Sequence, residues 1–106
     1  MNRVWRTALA AAGLLLPACS ASAQDVKLVV VGPMSGQFAS FWPQIEPAGR
    51  AATEFVNKAG GIGGRKIALS FADDACDPRQ AVSVANKAIQ DKVDVVFGCW
   101  TSVSRK

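Results

Sequence analysis

The segment Val26–Gly32 reads VKLVVVG, a nearly unbroken run of apolar and mostly β-branched residues. A strand with one wet face would alternate polar and apolar side chains. This one does not, so both of its faces must be covered. Such a strand belongs in a parallel sheet, where the crossover connections place helices over the faces. The remainder of the chain therefore has to supply further strands and at least two helices.

It does so in alternation. Gly32-Pro33-Met34-Ser35-Gly36 breaks the first strand into a loop. Ile45, Ala48, Ala52, Phe55, Val56 and Ala59 then recur at helical spacing, and Gly60-Gly61 ends that helix. An interior proline costs a hydrogen bond and a clash, so Pro43 and Pro47 set the start of regular helix near Pro47. Lys66 to Ala72 (KIALSFA) alternates as a second strand. Asp77-Pro78 is a cap followed by a proline at the first helical position, and it opens a second helix. Val82, Ala85 and Ile89 line one face of that helix, while Arg79, Lys87 and Gln90 face water. Val93 to Gly98 (VDVVFG) is a third strand. The expectation is an α/β fold, a three-stranded parallel βαβαβ unit in spatial order 2-1-3, with right-handed crossovers and the helices on opposite faces.

The 106 residues leave room for one small domain at most, and half are hydrophobic against 19% charged, the balance of a globular chain. The formal charge of +4 includes Arg3 and Arg6 at the start and the short Arg105-Lys106 pair at the end. No stripe of lysine and arginine with interleaved aromatics is present, which argues against nucleic acid as a partner.

Residues 1–23 read as a secretory signal peptide. Arg3 and Arg6 form the positive region, and Ala8 to Leu16 the apolar run, too short to span a bilayer. Pro17 breaks it, and Ala21-Ser22-Ala23 supplies small residues for cleavage between Ala23 and Gln24. A second reading lipidates Cys19 within Leu16-Pro17-Ala18-Cys19. Proline fits poorly there, so soluble export to the periplasm is favoured and residues 24–106 form the mature domain.

Export leaves Cys76 and Cys99 in an oxidising compartment. Both fall in loops at the same end of the expected sheet, which admits either a disulfide or two thiols; neither lies in a Cys-x-x-Cys motif. The chain has no histidine, which removes the usual zinc ligand and general base. No cofactor or metal is indicated, and nothing marks an enzyme.

Ligands of open parallel sheets bind beyond the carboxyl ends of the strands. Three loops meet there: Gly32 to Gly36, Asp73 to Pro78, and Cys99 to Ser104. The first lacks both the Gly-x-Gly-x-x-Gly pattern and a Gly-Lys-Ser/Thr ending, so a phosphate cradle is disfavoured. Asp73-Asp74 reads as one carboxylate capping or bracing a loop rather than as a metal pair. Trp100-Thr101-Ser102 sets an indole beside two hydroxyls.

These segments resemble the leucine/isoleucine/valine-binding family of periplasmic proteins. The resemblance rests on Val31-Gly32-Pro33-Met34-Ser35-Gly36, on Ala59-Gly60-Gly61-Ile62-Gly63-Gly64, on Asp73-Asp74-Ala75-Cys76-Asp77-Pro78-Arg79-Gln80-Ala81-Val82, and on Val84-Ala85-Asn86-Lys87. The last stretch, Gly98-Cys99-Trp100-Thr101-Ser102-Val103-Ser104-Arg105-Lys106, is more similar to the urea and short-chain amide binders of that superfamily. The resemblance implies a type I two-lobed fold, of which this chain is an incomplete first lobe, and a substrate-binding component of an ABC-type importer. It implies ligand contacts from Ser102 and from the aromatic walls Phe41 and Trp100, with Thr101 beside them. Thr101, rather than Cys99, then occupies the position of the amino-acid binders' second disulfide cysteine. The implied partners are an amino acid or small amide and a membrane permease. The expectation is a truncated reading frame that does not bind ligand tightly by itself. A ligand-sensing receptor lobe is the alternative.

Overall fold

The computed structural model describes residues 24–98. Three strands form one sheet: β1 (Val26–Gly32), β2 (Ile67–Asp73) and β3 (Val95–Phe97). Their order is β2-β1-β3 and both pairings are parallel. β1 pairs with β2 in register from Val26↔Ile67 to Gly32↔Asp73, and with β3 from Leu28↔Val95 to Val30↔Phe97. The hydrophobic run is thus the central strand, as its lack of alternation requires.

Because side chains alternate along a strand, β1 serves both faces. Val29 and Val31 point to one side, where they pack with Ala88, Ala72, Val84 and Val93. Leu28 and Val30 point to the other, toward Ile45 and Val56. The helices that supply these partners, α1 (Trp42–Lys58) and α2 (Pro78–Gln90), accordingly cover opposite faces. Burial of valines at the 6–7% exposure seen here is worth about 1.5–3 kcal/mol each, so β1 carries a large share of the fold's stability.

α1 begins five residues earlier than the prolines suggested. A short 3-10 turn (Ala39–Phe41) leads directly into Trp42, and Pro47 lies inside the helix. Tertiary packing is the reason. Trp42 is buried, its ring meets Phe71 edge-on at 5.4 Å, and its indole N–H donates to Glu46 at 3.0 Å. Pro43 falls in the first turn, where an amide hydrogen has no helical acceptor anyway. Pro47 forfeits only the bond to the Pro43 carbonyl. Arg50 adds to the same cluster, with its guanidinium 4.9 Å above the Phe71 ring and its Nη2 2.7 Å from Glu46.

The glycine pair ends α1 as expected. Gly60 takes φ +103, its N–H donates to the Asn57 carbonyl at 3.1 Å, and the Gly61 N–H donates to Val56 at 2.9 Å. These are the two bonds of a Schellman cap. Asn57 then turns from helix to sheet: its side chain donates to the Ile67 carbonyl (3.1 Å) and accepts from the Ile67 N–H (2.7 Å), starting the edge strand β2.

The capping signal at α2 is realised as read. Asp77 is the N-cap and accepts from the N–H groups of Arg79 (2.9 Å) and Gln80 (3.0 Å). The packing face is rotated from the expected one. Ala88 is buried and Val84 packs beside it, whereas Val82 and Ile89 are 55% and 75% exposed. Alanine at position 88 lets the helix approach the two β1 valines closely, and that contact sets the helix's rotation. β3 is shorter than the expected Val93–Gly98 because the Val93 N–H closes α2 by donating to the Ala88 carbonyl at 3.0 Å.

Candidate functional site

Each of the first two strands delivers a loop to the carboxyl edge of the sheet, and the two loops are tied together by one side chain. Asp73 is the last residue of β2, opposite Gly32 at the last rung of the ladder. Its Oδ1 accepts from the N–H groups of Met34 (2.9 Å), Ser35 (3.2 Å) and Ala75 (2.9 Å), and its Oδ2 accepts from the Ser35 hydroxyl. The parallel pairing therefore continues past the strand ends through a carboxylate. Burial pushes the Asp73 carboxyl upward, but the Ser35 hydroxyl and the three N–H donors outweigh it and hold the group below the ordinary aspartate value.

Asp74 plays a different part. It is fully buried, its N–H donates to the Gly32 carbonyl at 3.2 Å, and its Oδ1 accepts from the Cys76 N–H at 3.0 Å. Its Oδ2 has no hydrogen-bond partner among the described residues. The Asp74 carbonyl accepts from the Asp77 N–H at 2.8 Å, so the second loop is a tight turn with Ala75 and Cys76 at positive φ. One aspartate bracing a loop was the expectation. Both do, Asp73 across to the neighbouring strand and Asp74 within its own turn. The adjacent carboxylates accept from different groups, Asp73 from the N–H groups of Met34, Ser35 and Ala75 and Asp74 from that of Cys76. Among the described residues no group of three or more histidine, cysteine, aspartate or glutamate side chains is placed to hold a metal.

The same geometry tells against a phosphate cradle in the Gly32–Gly36 loop. Two of its N–H groups already point at a carboxylate, and a second anion placed there would be repelled.

Phe41 is the one expected ligand-contacting residue within the described chain. It closes the 3-10 turn that follows the first loop and keeps 42% of its surface exposed. Trp100, Thr101 and Ser102 lie outside the described residues, as does Cys99, so their gathering around Phe41 is an expectation that stands untouched. Cys76 is buried in the second loop. The cleavage residue Ala23 and the alternative lipid site Cys19 also fall outside, and Gln24 is the first described residue. No helix among the described residues is long and apolar enough to cross a membrane.

β3 reaches this edge through a close approach that sequence alone did not flag. Gly98 takes φ +150, and a Cβ there would stand 2.3 Å from the Val31 carbonyl oxygen. A broad concavity lies elsewhere. It is an open apolar groove of about 540 Å³ between α1 and the middle of the sheet, lined by Leu28, Val30, Ile45, Ala48, Val56 and Phe97 among others. Gln44 and Thr53 are the polar side chains in its mainly apolar lining, and it reflects a sheet face that α1 covers only in part.

Comparison with known proteins bears on both fold and edge. A family model described as "Periplasmic binding protein" matches residues 25–106. The Leu/Ile/Val-binding protein of Escherichia coli is 44% identical over 84 residues, 79% of this chain and 23% of the relative. An amino acid binding protein of Pseudomonas aeruginosa is 49% identical over 81 residues, covering 76% of this chain and 22% of that protein. Among solved structures, a branched-chain amino acid transporter substrate binding protein from Streptococcus pneumoniae, in complex with isoleucine, superposes with a TM-score of 0.69 at 29% identity, over 76% of this chain and 24% of the other. The chain thus spans about a quarter of the length of the proteins it matches. With residues 25–106 matched and the β2-β1-β3 sheet in place, the chain belongs to the periplasmic binding protein family.

Proposed function

We propose that this chain forms the opening portion of the first lobe of a substrate-binding component, serving an ABC-type importer of amino acids. A second lobe would supply the other half of the pocket, and closure of the two about a hinge would trap the cargo. The observation that carries the reading is the carboxyl edge of the β2-β1-β3 sheet, where two loops are locked together beside the exposed ring of Phe41. Phe41 and Trp100 would wall the pocket and exclude water, and Ser102, with Thr101 beside it, would hydrogen-bond the ligand's carboxylate or amide. Binding of this kind breaks no bond and requires no general base, which suits a chain without histidine. Export through residues 1–23 would place the protein in the periplasm beside its permease.

A second reading rests on the resemblance drawn from the residues Gly98-Cys99-Trp100-Thr101-Ser102, which would make a small amide the alternative cargo.

A chimaera tests both. Residues 24–106 would replace the matching segment of the Escherichia coli relative, and calorimetry would measure binding of leucine, isoleucine, valine, urea and acetamide. Binding of an aliphatic amino acid is the expected result. Because the retained lobe comes from a protein named for amino acids, tight urea or acetamide binding would be attributable to the graft and would select the second reading. A folded chimaera that binds none of the five would sink the proposal.

A further inference from the structure

We propose that Asp73 is a positioning residue for Phe41, holding that ring in place through the Gly32–Gly36 loop. The proposal deepens the reading above and rests on it for its significance, though not for its test. Asp73 is held from behind by the β1–β2 ladder and by Gln80, whose side-chain amide donates to the Asp73 carbonyl at 2.8 Å. In front, its carboxylate gathers the N–H groups of Met34 and Ser35 together with the Ser35 hydroxyl. Bonds to an ionised acceptor are the stronger class, so this end of the loop is fixed tightly. The loop's other end, Gly36, lies against Ala75 of the second loop; a Cβ added at Gly36 would meet the Ala75 carbonyl oxygen at 3.3 Å. The Gly36 carbonyl in turn accepts from the Ala39 N–H at 3.2 Å, which starts the turn that ends in Phe41. The Phe41 N–H donates to the Phe38 carbonyl at 3.1 Å. A carboxylate at the tip of β2 thereby sets the height of an aromatic ring carried by the β1–α1 connection.

A purely local role for Asp73 would stabilise Met34 and Ser35 and stop there. Transmission predicts more. NMR of the chain, without ligand, reads both effects at once: amide hydrogen exchange at Met34, Ser35 and Ala39, and the ring-proton shifts of Phe41. In Asp73→Ala the three amides are expected to exchange faster by on the order of tenfold or more, with the Phe41 ring shifts moving and the β1 amides of Val29–Val31 keeping their protection. Asp73→Asn retains an acceptor oxygen and is expected to restore part of both signals. Ser35→Ala removes one donor only and covers the case in which Asp73→Ala does not fold; it is expected to shift the same signals in the same direction and less far. Unchanged Ala39 exchange and unchanged Phe41 shifts in variants that do deprotect Met34 and Ser35 would overturn the proposal. So would loss of β1 protection in parallel with the loop in all three variants, since that is general destabilisation. The readout is independent of cargo: a chimaera that binds nothing refutes the function while Phe41 still answers to Asp73, and the converse refutes only the positioning.

Discussion

Gly98 stands where the third strand reaches the candidate edge, and alanine there should be costly in a way that can be worked from distances. A Cβ at this position sits 2.3 Å from the Val31 carbonyl oxygen and 3.0 Å from its carbon. Comfortable contact for such atoms is near ~3.5 Å, so β3 would have to move off β1 by roughly an ångström. Val31 cannot yield, because it is a buried residue of the central strand. The backbone angle of +150° adds strain of about 1–3 kcal/mol for any side chain. Weakening the neighbouring Val30↔Phe97 rung removes about 0.5–1.5 kcal/mol more. The sum is about 1.5–4.5 kcal/mol, which for a domain of this size corresponds to a melting-point drop of roughly 6–36 °C. Gly60→Ala is the control: φ is +103 there, but nothing lies within 4 Å of the added carbon, so only the conformational cost of about 1–2 kcal/mol applies. Thermal melts of the protein followed by circular dichroism compare the two. A Gly98→Ala loss equal to or smaller than that of Gly60→Ala would refute the steric argument.

Four further outcomes are expected. Asp77→Ala should cost about 0.5–2 kcal/mol in urea unfolding by orphaning the Arg79 and Gln80 amides, with Asp77→Ser recovering most of it. Asn57→Ala should cost about 1–3 kcal/mol, because both polar groups of Ile67 lose their side-chain partner at the start of β2; an unchanged unfolding midpoint would show that water replaces Asn57 without loss. Lys92→Gly should stabilise by up to about 1 kcal/mol, since Lys92 closes α2 at φ +53 where glycine is unstrained, and a lowered midpoint would contradict this. The Asp73 carboxyl lies below its ordinary value of 3.8, so the stability it contributes is present above about pH 4 and is lost as pH falls through the folded-state value; Asp73→Asn should flatten that acid limb of a stability-against-pH curve.

Much of the edge was legible because its signals are local. Asp77-Pro78 specifies a cap by residue type alone, and Gly60-Gly61 does the same for a helix end; both were realised at the expected positions. The family motif around Asp73-Asp74 marked the loop that the structure shows to be the brace. The roles of the two aspartates were not separable in advance, since adjacent carboxylates differ only in what surrounds them. The start of α1 was misplaced for a similar reason. Local proline chemistry favoured Pro47, while burial of Trp42 against Phe71 comes from a residue 29 positions away and outweighs it.

By itself the sequence determined that β1 is central, because a run of valines with no polar alternation can be stable only when covered twice, and it determined the strand order, the Asp77 cap and the helix end at Gly60-Gly61. Tertiary structure decided which face of α2 packs, where α1 begins, and that a single carboxylate at the tip of one strand holds the loop of the next. Those outcomes depend on distances between residues far apart in the chain. Composition and spacing do not encode such distances until the sheet brings the residues together.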